Sequence, residues 1–138
     1  MDQTMNVSLE IGADHRQVRL ARLVAAGIGS IQGFDVEAIE DLCISVDEGC
    51  IWLIEQGDGT SLSLSFAVRA DGLVQVTGET ARASGPVERV LGGLAAQILA
   101  ASCVEHRFEL EGSQARFQLV GGSGAFDGPS PSADEGVQ

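Results

Sequence analysis

Basic side chains are scarce in this sequence. Eight lysine and arginine residues face twenty acidic ones across 138 residues, for a formal charge of -12. Phosphate contacts need basic patches, so direct nucleic-acid binding is disfavoured. A long apolar run is also missing: nothing approaches the ~18 residues of a membrane-spanning helix. The opening residues MDQTMNVSLE contain no basic segment followed by an apolar one, so no secretory signal is visible. Cysteine is sparse and odd in number. Cys43, Cys50 and Cys103 all fall in apolar helical patterns, with no histidine or further thiol at metal-ligand spacing. Buried thiols in a reducing cytoplasm are the simplest account. A repeated βα pattern is absent as well, which argues against a barrel or a doubly wound nucleotide fold.

What is present fits one domain over residues 1–120 and a glycine-, proline- and serine-rich tail over 121–138, expected to be flexible. The apolar share of 44% suits a folded core. Asp35 to Glu55 reads as the longest helix. Val36, Ile39, Leu42, Cys43, Val46, Cys50, Leu53 and Ile54 recur at helical spacing on one face. The other face carries Asp41, Ile44, Glu48, Trp52 and Glu55, with Ile51 alongside. A face turned only to water would not need Ile44, Ile51 and Trp52, so something is expected to cover or bind it.

Before this helix, Val7–Ile11 alternates as a strand, and Asp14 is placed to cap a helix from His15 to Ile31. Val18, Ala21, Ala25 and Ile28 form that helix's stripe, widened by Leu20, Leu23, Val24 and Ile31. Arg16, Arg19 and Arg22 line another side, open either to local carboxylates or to an acidic partner or phosphate. After it, two strands run over Leu62–Val68 and from Leu73 to about Gly78, joined by an Asp-Gly turn. A helix is expected over Val87–Ser102, then a hairpin of Val104–Leu110 and Ala115–Val120. The order strand, helix, helix, two strands, helix, two strands implies an α+β fold: a two-layer sandwich with a mixed, mainly antiparallel sheet and helices packed on one face.

Three segments carry a resemblance. VRLARLVAAGIG, DVEAIEDLCISVDEGCIWLIEQG and LAAQILAASCVEHRFELEGSQARFQLV are similar to the first helix, the N-box helix and the last helix with closing hairpin of the histidine-kinase-like ATPase fold. Within it the chain resembles bacterial anti-sigma serine kinases. In that family the N box holds a glutamate and, four residues on, an asparagine that helps ligate magnesium. Glu48 matches the glutamate, whereas Trp52 stands at the asparagine position. An indole has one N–H donor and no oxygen ligand. The next box carries an aspartate before Gly-x-Gly, where this chain gives TGETARASGP. The resemblance therefore implies a degenerate nucleotide site and a cytoplasmic regulator acting through protein contacts. No cofactor is then required. The implied partners are a sigma factor or an anti-sigma antagonist, with homodimerisation also open. The expected interaction surface is Ile44, Ile51 and Trp52, or Arg16, Arg19 and Arg22. The alternative is an ATP- and magnesium-dependent serine/threonine kinase with Glu48 as the catalytic carboxylate.

Overall fold

A computed structural model describes residues 5–82 and 92–122. Its elements are β1 (Asn6–Gly12), α1 (His15–Ile31), α2 (Val36–Gln56), β2 (Ser61–Val68), β3 (Val74–Ala81), α3 (Gly93–Ser102), β4 (Glu105–Glu111) and β5 (Gln114–Gly121). The α+β class and the element order are those expected. The sheet runs β1-β2-β3-β5-β4, and each of its pairings is antiparallel rather than mixed. Residues 87–91 of the expected third helix and residues 123–138 of the expected tail lie outside the described residues. Gly121 closes β5, one residue beyond the expected domain boundary.

Both long helices begin where a carboxylate can receive free backbone N–H groups. Asp14 accepts from the Arg16 N–H at 2.8 Å and Asp35 from the Ala38 N–H at 2.8 Å. Such caps stabilise a helix by about 1 kcal/mol each. Between the helices, Gly33 takes a left-handed φ of 79°, which reverses the chain in four residues. The β2–β3 hairpin turns on Gly72, with φ 87°, and Asp71 accepts from the Leu73 N–H. The last hairpin turns through Gly112 and Ser113.

Period-two alternation fixes which strand residues meet the helices. Leu62, Leu64 and Phe66 of β2, Val74 and Val76 of β3, and Ala115, Phe117 and Leu119 of β5 are buried under the helical layer. The serines between the β2 apolar residues face the open side. The open side is a polar sheet face, so the single core lies between sheet and helices.

The rotation of α2 differs from the sequence expectation. Its buried arc is Ala38, Leu42, Ser45, Val46, Gly49, Cys50, Trp52 and Leu53. Val36, expected in the stripe, is 71% exposed. Small residues turn toward the sheet here, because the backbone approaches it closely. A Cβ at Gly49 would stand 2.8 Å from the Phe117 ring. On α1, Leu20, Leu23 and Ile31 do not widen the core stripe: they point outward and are 47%, 62% and 70% exposed.

Candidate functional site

The α2 surface around Glu48 is the site singled out by the sequence, and the structure divides its residues. Trp52 lies on the sheet side of α2 and is buried, at 4% exposure. Its ring meets Phe108 of β4 edge-on, with centroids 5.0 Å apart and planes at 86°. Phe108 in turn stacks on Phe117 at 5.6 Å and 24°. This makes an aromatic row from α2 through β4 to β5. Edge-to-face and offset pairs add about 0.5–1.5 kcal/mol each beyond burial. As a contact surface Trp52 is therefore corrected: its indole is a core group, and Phe108 is what covers that part of the helix.

Ile44 stays on the outer side of α2, 43% exposed, and Ile51 is half-buried. Glu48 is also half-buried, at the margin between the outer side and the side that meets the core. Burial raises its proton affinity above the ordinary carboxylate range, with the negative charges of Asp47 and Glu55 adding to the effect. Glu48 and Trp52 are thus one turn apart, yet they meet different surroundings.

The three arginines of α1 also part ways. Arg22 bonds Asp47 of α2 at 2.6 Å, with both side chains less than half exposed. The Cys43 thiol donates to the Arg22 carbonyl at 3.5 Å, so this corner ties the two helices together. Arg16 is held by the cap residue Asp14 through Nε at 3.3 Å and Nη2 at 3.1 Å. Those bonds to Arg16 keep the Asp14 carboxyl below its usual range. Arg19 is exposed, without an ion pair among the described residues.

Two of the concave features among the described residues lie elsewhere. One, of about 190 Å³, is lined by Ala38, Asp41, Ala101, Cys103, Val104 and Gly122 between α2, α3 and the end of β5. The other is a shallow depression on the open sheet face, edged by Ser8, Glu10, Ser63, Ser65, Thr77 and Glu79. Neither includes Glu48 or Trp52. Among the described residues, no three histidine, cysteine, aspartate or glutamate side chains come together as a metal site.

Gly78 follows Thr77 in the segment compared with the second nucleotide box. It sits in the middle of β3, where a Cβ would stand 2.6 Å from the Phe117 Cζ. This glycine makes room for an aromatic ring. Its partner in that task, Gly49, was missed in the sequence, although a glycine inside a long helix is a signal of close backbone approach.

No protein-family profile matches the sequence, and no curated protein matches it. Solved structures do match its fold. One is the crystal structure of the RsbU and RsbW domains of Rv1364c from Mycobacterium tuberculosis, with a TM-score of 0.68 and 16% identity. The match covers 86% of this chain and 33% of that one. The fold is RsbW-like. At this identity the likeness concerns the fold alone, and this chain spans about a third of that chain's length.

Proposed function

We propose that this protein is an anti-sigma-like regulatory domain that acts by binding another protein, without conventional magnesium-ATP chemistry. The observation that carries the reading is the buried Trp52. In the resemblance to the anti-sigma kinases it stands where an asparagine oxygen helps hold magnesium. Magnesium takes oxygen ligands in tight octahedral geometry, and an indole offers none. Packing against Phe108 also fixes the ring within the core. A shift of α2 that freed this position would break the aromatic row.

The outer side of α2, with Ile44, Ile51 and Glu48, is the surface assigned to the partner. Ile44 is a large apolar side chain left 43% exposed, with carboxylates one turn away along α2 at Glu40, Asp41, Asp47 and Glu48. A sigma factor or an anti-sigma antagonist is the partner class implied by the resemblance, in the cytoplasm, where three free thiols are stable. No helix among the described residues is long and apolar enough to cross a membrane.

A second reading rests on Glu48. A carboxylate with raised proton affinity is suited to take a proton from an attacking serine or threonine hydroxyl. That reading gives an ATP-dependent protein kinase with magnesium. Phosphoryl transfer depends on charge neutralisation and positioning, which one carboxylate does not supply.

The test is affinity capture with the tagged full chain, using wild type and Ile44→Glu, followed by a phosphotransfer assay with the captured protein. Recovery of a specific partner that Ile44→Glu loses, without phosphate transfer, supports the proposal. Transfer that depends on Glu48 overturns it in favour of the kinase.

A further inference from the structure

Two hollows adjoin along a groove between the start of α2 and the end of α3. The cavity of about 190 Å³ and a neighbouring depression of about 360 Å³ share Ala38, Asp41 and Ala101. The walls are small and apolar. Gly122 and Val104 join Ala38 and Ala101 around the first hollow, and Val104 is 45% exposed.

The side-chain donors of the groove are spent within the protein. The Ser102 hydroxyl donates to the Ile98 carbonyl at 2.8 Å, and the Cys103 thiol to the Leu99 carbonyl at 3.2 Å. What remains is negative. Asp41 lines both hollows, and its carboxylate has no hydrogen bond or ion pair among the described residues. Asp35 and Glu37 edge the second hollow, although Asp35 is already engaged in capping α2. The last turn of α3 lines the first hollow and carries no basic residue. The Val104 N–H goes to the Val120 carbonyl at 2.7 Å and not back to Ala100. The end of α3 therefore keeps carbonyl oxygens with acceptor capacity, and a helix C-terminus is partially negative.

We propose that this groove receives an arginine side chain from a basic segment of a partner protein. Apolar walls beside unspent acceptors match a guanidinium carried on an aliphatic stem. The stem lies on Ala38, Ala101 and Val104, and the planar fork donates to Asp41 and to the end of α3. At about 190 Å³ the cavity is smaller than the ~300–1,000 Å³ of sites for drug-sized ligands, so it suits one side chain. Among the described residues, no three ligating side chains converge as a metal ion would need. The formal charge of -12 draws basic segments toward the chain in general, and the groove gives that attraction a place. Ile44, Ile51 and Glu48 line neither hollow, so the inference goes beyond the partner surface assigned to them and does not depend on it.

The experiment is an amide NMR titration of the full chain with N-acetyl-arginine methylamide, carried to millimolar concentration. The citrulline analogue, which keeps the shape and loses the charge, and putrescine are titrated alongside. The expected result is saturable shifts centred on Ala38, Asp41, Ala101 and Val104, weakened by salt. Citrulline and putrescine bind about fivefold or more weakly. Asp41→Asn, close in shape to the native residue, raises the dissociation constant about fivefold or more. Glu111→Gln removes a carboxylate at the end of β4 and leaves binding unchanged. Absence of saturable shifts, or shifts centred elsewhere, overturns the proposal. So does binding that Asp41→Asn leaves intact, that Glu111→Gln weakens equally, or that citrulline or putrescine matches.

Discussion

Phe117 occupies the space that a side chain at Gly78 would need. A Cβ on that β3 residue would come within 2.6 Å of the ring's Cζ, and the same ring lies against Gly49 of α2. The ring is fully buried, so two glycines far apart in sequence form one slot. Overpacking a filled core costs about 1–3 kcal/mol. Gly78→Ala should lose that much in urea unfolding. Gly49→Ala should lose less, because alanine gains about 1 kcal/mol of helix propensity. Combining Gly78→Ala with Phe117→Leu should recover part of the loss, since the smaller side chain vacates the clash.

Trp52 is the single tryptophan, which makes its environment readable. Its emission should be blue-shifted and poorly quenched by iodide in the folded protein. Truncating a buried aromatic costs about 3–5 kcal/mol. Trp52→Asn should therefore lower stability by an amount in that range and gain no nucleotide affinity. Phe108→Ala should shift the tryptophan emission to the red, because the ring covering the indole is gone.

Much of the fold was legible because apolar periodicity locates elements well. The other strands and α1 fall within a residue or two of the expected spans, β3 runs three residues past its expected end to Ala81, and Asp14 and Asp35 cap as their positions suggest. What misled was weighting bulky side chains. On α2 the sheet-facing residues include Ala38, Ser45 and Gly49, which add little hydrophobicity yet mark the closest approach. A stripe drawn through large residues was therefore rotated, taking Val36 inward and Trp52 outward. Similarly, Leu20, Leu23 and Ile31 looked like extra core. Nothing local distinguishes a leucine facing the sheet from one facing water. The Phe108–Phe117 pair depends on strand register, which connects residues across a hairpin and then to a distant helix.

Ser45 and Ser102 join α2 to α3 through a buried hydroxyl pair at 3.0 Å. Each hydroxyl also donates within its own helix, Ser45 to the Asp41 carbonyl at 2.9 Å and Ser102 to the Ile98 carbonyl at 2.8 Å. One hydroxyl has one proton, so the bond across the helices and the two internal bonds compete. Ser102→Ala should then cost only about 1 kcal/mol. The double change with Ser45→Ala should cost close to the sum of the singles, because each serine left alone keeps its internal bond, as read from a thermodynamic cycle in urea.

The cysteines should differ in reactivity. Burial pushes the Cys50 thiol up to about 12, and burial also raises Cys43 and Cys103 above the ordinary value. A thiol that binds its proton more tightly in the folded state adds stability fully present below its unfolded pKa, near 9. That contribution is lost as pH rises from there toward 12. At neutral pH, mass-resolved alkylation of the native protein should leave Cys50 unlabelled and label Cys43 and Cys103 slowly. All three should react after unfolding.

The central claim is that α2 is a scaffold and contact surface and no longer a wall of a magnesium-ATP site. Isothermal titration calorimetry of the full chain with millimolar ATP and magnesium tests it most directly. The account predicts no saturable heat, for wild type and for Glu48→Gln alike. Saturable, magnesium-dependent binding that Glu48→Gln abolishes would contradict it.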